Sequence, residues 1–258
     1  MAGLVSLLVI YVLSRQIYLS ASKLIMRWYG CEYMSPTEYS DLHYILNELS
    51  EKFSIECPKS HIFDSSTPIV FTVGSKKKYD IVMSYGLLEL LNNDELEAML
   101  AREMARISEG NVSHNTFVAF VAGIIASFST VAMWMSMLGG FGQEGDPVPK
   151  FIRFVAMGLV MLPAALIVYI GSVDSTLHSD IVAVRTLGSK QYLASALKRV
   201  YNDINLNSVE YFNPGHVHLF AMNPVKVNSL YDIHLSLFEA KLDLRQRLKA
   251  VDGVDILN

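Results

Sequence analysis

A carboxylate between two guanidinium groups, Arg102-Glu103-Met104-Ala105-Arg106, lies in a stretch of helical composition. Residues i and i+4 of a helix share one face. That spacing lets the H-E-x-x-H pattern bring two neutral imidazoles onto one metal ion while its Glu activates water. Here both imidazole positions carry cations. A guanidinium keeps its proton in a protein and has no lone pair to give a metal. Without a metal to acidify its water, Glu103 is a weak general base, and an ion-paired structural role outranks a catalytic one.

The elements that must hold these residues can be read from periodicity. Asn92 with Glu95 forms a capping box that starts the motif helix, and the pattern runs out near Gly110. Upstream, Ser35-Pro36-Thr37-Glu38 opens an amphipathic helix carrying Tyr39, Leu42, Ile45, Leu46, Leu49 and Phe53. Ser60–Phe63, Ile69–Val73 and Asp80–Ser84 read as strands of a small sheet, bounded by Pro58, Pro68, Gly74 and Gly86. Downstream, Asp174–Leu187 and Lys190–Asn202 are helical with a break at Gly188, and Leu235–Val251 is a last helix. Helix, small sheet, motif helix and further helices make an α+β, mostly helical domain.

Phe117–Leu138 and Phe154–Val173 are runs of 22 and 20 residues without a charge, each long enough to cross about 30 Å of hydrocarbon. The Gly- and Pro-containing stretch from Gly139 to Lys150 reads as the loop of a transmembrane hairpin, and Pro163 is tolerable inside a membrane helix. Gly3–Ser22 is mostly apolar and uncharged except for Arg15, and Lys23 and Arg27 follow it, which predicts an N-terminal anchor with its C-terminal end in the cytoplasm. The chain then divides into an anchor (1–27), a first half-domain (28–114), the hairpin (115–173) and a second half-domain (174–258). Because the hairpin spans twice, both halves emerge on the same side and can build one domain.

Of 258 residues, 52% are hydrophobic, which suits a membrane protein. A net charge of −4 and no basic cluster larger than Lys76-Lys77-Lys78 disfavour nucleic acid as a partner. Cys31 and Cys57, without a C-x-x-C, read as reduced thiols. Met133, Trp134, Met135 and Met137 fall in the first span and read as lipid-facing or packing residues.

Several unconnected segments, in order, make the chain resemble the HtpX-type membrane zinc metalloproteases, gluzincins related to the CaaX-prenyl proteases. They are Ile25-Met26-Arg27-Trp28-Tyr29-Gly30, the stretch from Pro58 to Pro68, Gly86-Leu87-Leu88-Glu89-Leu90-Leu91-Asn92, His218-Leu219-Phe220-Ala221-Met222-Asn223-Pro224 and Arg247-Leu248. The resemblance implies a zincin-like fold. It also implies which positions have changed: the family's two zinc histidines fall on Arg102 and Arg106, its general base on Glu103, and its third ligand on Thr176 when its following Asp is matched to Asp180. The family's Thr-His-Pro-Pro is not recognisable around Ala240–Asp243.

Three lost ligands predict no zinc site of the family type and no cofactor; zinc belongs only to the rival reading, an active membrane metalloendopeptidase of membrane-protein quality control with unusual ligands. Arg102 or Arg106 is expected to neutralise Glu103 and Asp180 in place of the ion, tying the motif helix to the helix after the hairpin. A relocated metal would have to come from His178 together with His216 and His218, which at i and i+2 would share one face of a strand. Ile69, Val70, Phe71, Thr72 and Val73 match the family's cleft strand, whose open edge would take an extended peptide. The reading is thus a membrane-anchored pseudopeptidase, with the lipid bilayer and membrane proteins or extended peptides as partners, acting by binding or as an accessory subunit of a membrane complex. A third reading is a purely structural subunit whose cleft is closed by its own arginines; an open or a covered Ile69–Val73 edge distinguishes it from the first.

Overall fold

A computed structural model describes residues 2–75, 77–138, 162–172, 174–207, 212–225, 238 and 243–255, with backbone alone for 2–11, 13–14 and 129–138. The chain opens with a 27-residue helix α1 (Ala2–Trp28), followed by β1 (Glu32–Tyr33), α2 (Ser40–Phe53), β2 (Lys59–Phe63), β3 (Val70–Ser75), β4 (Lys78–Ser84), α3 (Tyr85–Leu90) and α4 (Asn93–Ser108). Then come α5 (Val112–Leu138), α6 (Leu162–Gly171), α7 (Thr176–Leu187), α8 (Gln191–Leu206), a 3-10 helix (Pro214–Leu219) and α9 (Leu244–Asp252). This is the α+β arrangement, mostly helical around one small sheet. The last described helix starts at Leu244, where Asp243 and Gln246 form a capping box, and residues 235–237 and 239–242 of the expected helix lie outside the described residues.

The sheet is mixed, in the order β1-β2-β4-β3. β2 runs parallel to β4, with Lys59 opposite Asp80 and Phe63 opposite Ser84, and β3 is antiparallel to β4, with Val70 opposite Met83. Alternation along the strands feeds two cores. Val70, Ile81 and Met83 pack with Leu46 and Leu49 of α2, Leu100 and Met104 of α4, Val184 of α7 and Leu197 of α8. Phe71, Val73 and Val82 pack on the other face with Ile25 of α1, Ala119 and Ala122 of α5, Ala164 and Val168 of α6, and Leu219 and Phe220. Covered on both faces, β3 is a nearly continuous apolar run.

Helix α4 sits at the centre, buried at nearly every position from Glu95 to Ile107. Its start is fixed by the capping box: Glu95 N donates to Asn92 Oδ1 at 2.9 Å and Asn92 N to Glu95 Oε2 at 3.1 Å. Ser195 and Arg199 of α8 donate to the same carboxylate at 2.6 and 2.7 Å. α7, α8 and α9, all after the apolar runs, therefore share one core with α2 and α4.

Among the described residues no single helix is long and apolar enough to cross a membrane; α4 with Val112–Phe128 of α5 would suffice together, but the pair bends by 96°. The 139–161 stretch, which includes the hairpin loop and the start of the second run, lies outside the described residues, as do the side chains of Met133, Trp134, Met135 and Met137.

Candidate functional site

Arg102, Glu103 and Arg106 point into the interior, exposed by 2%, 0% and 5%, and they meet Asp180 of α7 and Arg247 of α9, at 0% and 3%. Asp180 is the hub. Its Oδ1 accepts from Arg102 Nε at 3.1 Å and from Arg247 Nη2 at 2.8 Å, and its Oδ2 from Arg247 Nε at 2.7 Å. The Arg247 pair is the two-pronged guanidinium–carboxylate geometry that fixes orientation as well as charge. Arg247 Nη1 also donates to Ala221 O at 2.8 Å.

Glu103 is held from two sides: Arg102 Nη1 donates to Oε1, and Thr72 Oγ1 of β3 donates to Oε2 at 2.6 Å. Arg106 approaches Glu103 only to 3.9 Å. Its main partners are backbone carbonyls at the end of the 3-10 helix, Leu219 O through Nη1 and His218 O through Nη2 at 3.0 Å. Three guanidinium groups thus face two carboxylates in the buried interior, with every carboxylate oxygen engaged. Burial works against the charge on Arg102, but Glu103 and Asp180 more than offset it and hold its pKa above the usual value. For Arg106 burial dominates, Glu103 compensates only in part, Arg102 adds repulsion, and its pKa falls below the usual arginine value.

Thr176, the third position, starts α7 one turn before Asp180. Its amide donates to Asp174 Oδ1 at 3.1 Å, and its hydroxyl makes no hydrogen bond among the described residues. A metal at this place would be offered two guanidinium groups and a threonine hydroxyl, which is not a donor set for zinc. Among the described residues no three His, Cys, Asp or Glu side chains converge for a metal elsewhere.

The histidines of the alternative metal site are dispersed. His216 and His218 do not share a strand face, because Asn213-Pro214-Gly215 turns the chain into a 3-10 helix, with Asn213 Oδ1 accepting from Gly215 N at 2.9 Å. In three residues per turn, i and i+2 diverge. His216 Nδ1 is hydrogen-bonded to Tyr29 Oη at 3.0 Å, whereas His218 Nε2 is 3.1 Å from Asn115 O. His178 is exposed and bonds Glu109 at 3.1 Å. Burial pushes His216 down to about 3, so it stays neutral at physiological pH.

The expected peptide-binding edge is covered. β3 is the last strand of the sheet, which leaves only its outer side. On that side Ala221 N donates to Val70 O at 2.9 Å, Phe71 pairs with Phe220 in an antiparallel bridge, and Gly74 N donates to Thr116 Oγ1 at 3.1 Å. Ile69, Val70, Phe71, Thr72 and Val73 are all buried. The chain's own 219–221 segment takes the place that an added peptide strand would occupy, and Arg106 grips that segment from below.

Arg247 is the site residue that residue-by-residue reading misses. It stands out only as one matching position in a basic C-terminal helix, and its role depends on α9 folding back onto α7. Thr72 was expected at a peptide-binding edge, and its hydroxyl instead faces Glu103.

A zincin-type α+β fold with a degenerate metal motif defines the class. The chain belongs to Peptidase family M48, whose model matches residues 36–250. Its relatives include a Protease HtpX homolog of Thermococcus kodakarensis, 26% identical over 242 residues, covering 92% of this chain and 83% of that protein. Protease HtpX of Legionella pneumophila (strain Corby) is 28% identical over 251 residues, covering 94% and 88%. A Protease HtpX homolog of Pyrococcus abyssi is 30% identical over 210 residues, covering 81% and 73%. The chain is an HtpX-like member of the family.

Proposed function

We propose that this chain is a membrane-anchored pseudopeptidase that acts as an accessory, structural subunit of a membrane complex, its former cleft closed by its own arginines and its own 219–221 segment. The observation that carries this reading is the buried network in which Arg102 joins Glu103 to Asp180. Where a protease of this fold would need electron donors and a metal-bound water, two guanidinium groups are fixed in place by carboxylates and backbone carbonyls. Glu103 keeps its position, but both its oxygens are engaged as acceptors and are not free to take a proton from water.

Support for the membrane comes from the apolar runs of the sequence and from large apolar side chains exposed on the helices that would carry them: Val12, Ile17 and Leu24 of α1, Phe128 of α5, Leu166, Tyr169 and Ile170 of α6. Such a concentration is costly in water and ordinary in lipid. On this reading 1–27 is the anchor, 115–173 the hairpin, and 28–114 with 174–258 form one cytoplasmic domain of a multi-pass protein. Its partners are the bilayer and membrane proteins; a peptide reaching the outer edge of β3 would first have to displace residues 219–221.

Metal analysis tests this directly. The purified chain should carry no stoichiometric zinc and should not cleave casein, whereas the combined Arg102→His, Arg106→His and Thr176→Glu variant should gain zinc binding, measured by inductively coupled plasma analysis. Stoichiometric zinc in the natural chain, or chelator-sensitive cleavage by it, would overturn the proposal in favour of an active metalloendopeptidase.

A further inference from the structure

A concavity lies on the opposite face of the sheet from the arginine cluster, where α1 gives way to β1. Trp28, Tyr29, Phe63 and Phe212, with Asp64 and Ser65, line a cavity of about 330 Å³, within the range of small-molecule sites. The aromatic walls are held in place by packing. Tyr29 lies 5.6 Å from Phe63 and 5.7 Å from Phe71 between ring centroids, its hydroxyl is fixed to His216, and the Trp28 ring meets His216 edge-on at 5.9 Å. Phe212 stands 6.3 Å from Phe220.

The electrostatics of the lining are one-sided. Among the described residues Asp64 is the one charged residue of the lining, and no Lys, Arg or His forms an ion pair with its carboxylate. His216, behind Trp28 and Tyr29, is buried and neutral and adds no positive charge. Four aromatic rings and one carboxylate, with no cation in the lining among the described residues, favour an organic ammonium group: the rings attract it through their quadrupoles and the carboxylate through its charge, while a neutral ligand of the same shape gains neither. We propose that the cavity lined by Trp28, Tyr29, Phe63, Phe212 and Asp64 binds a quaternary ammonium group, either on a lipid head group or on a free small molecule.

Only two tryptophans are present, Trp28 and Trp134, so a Trp134→Phe variant of the full chain in detergent makes Trp28 the sole reporter. Tetramethylammonium and choline should quench or shift its emission saturably, with a Kd of about 1–10 mM. The neutral isostere 3,3-dimethyl-1-butanol should bind at least about tenfold more weakly. Asp64→Asn should weaken tetramethylammonium by about fivefold and leave the isostere unchanged. Asp64 is exposed, so this variant folds, and circular dichroism checks that it does. Nanodiscs separate the sources: if phosphatidylcholine bilayers produce the spectral change that phosphatidylglycerol bilayers do not, the lipid supplies the group, and if neither does while free choline still titrates, a soluble ligand supplies it. Equal binding of the isostere, insensitivity to Asp64→Asn, or no saturable response to tetramethylammonium would each overturn the proposal.

Discussion

Replacing Arg102 by methionine would leave Glu103 with Thr72 and a distant Arg106, and Asp180 with Arg247 alone. A buried carboxylate that loses its cation keeps its desolvation cost and forfeits the compensating attraction. The expected loss is about 3 kcal/mol, or roughly 6–12 °C in Tm, read by thermal melting in detergent. Adding Glu103→Gln to Arg102→Met should recover part of it. No change in Tm for the single variant would mean that the guanidinium is solvated and the network is not holding the fold together. His216 makes a prediction in pH. Burial holds it at about 3, against about 6.5 for a free imidazole, so the unfolded chain takes the proton first. Its contribution to stability is complete above pH 6.5 and drains away as the pH falls toward 3. Between pH 7 and pH 5 the loss from this residue is about 2 kcal/mol, measurable as the difference in denaturant midpoint shift between the natural chain and His216→Gln. Equal shifts in the two proteins would remove His216 as the cause.

At the scale of elements, α5 and the 3-10 helix meet backbone to backbone at Gly215. A Cβ on Gly215 would fall inside contact distance of the Gly123 amide and the Ala122 carbonyl, both backbone atoms that cannot turn aside. Gly215→Ala should therefore push the 3-10 helix off α5 and cost about 2–3 kcal/mol. It should also loosen the carbonyls that Arg106 holds, which hydrogen exchange at Phe220 and Ala221 would detect. Ordinary exchange and an unchanged midpoint would show that the joint can slide. This joint also marks the limit of what the sequence reveals. The motif helix and the strands could be read because local signals fix them: a capping box at Asn92, apolar periodicity, and proline and glycine at the strand ends. The shared strand face that a relocated metal would need at His216 and His218 does not form, because the Asn-Pro-Gly turn winds the alternating His-Val-His into a 3-10 helix. The filled edge of β3 was not legible, because no local pattern records that residue 221 returns to residue 70. Arg102, Glu103 and Arg106 were visible as a displaced motif, whereas Arg247 is tied to them only by the docking of α9.

At the scale of the whole molecule, the shared core of α4 with α7, α8 and α9 requires the chain to leave the domain after α4 and come back to it. If the intervening runs span the membrane, they must do so an even number of times. An impermeant maleimide applied to intact cells should then label a Glu144→Cys variant in a Cys57→Ser background. Cys57, exposed on the domain, should label in the natural chain only after permeabilisation. Cys31 will not compete, because burial pushes its thiol up to about 12. Labelling of both positions from one side would contradict the hairpin. The same connectivity sets an order of assembly during synthesis. Arg102, Glu103 and Arg106 leave the ribosome long before Asp180, the carbonyls of 218 and 219, and Arg247 exist to receive them. A nascent chain halted after the first half would carry two cations on a helix that the finished domain buries, so biogenesis has a vulnerable interval. It closes only when α9 brings Arg247 to Asp180.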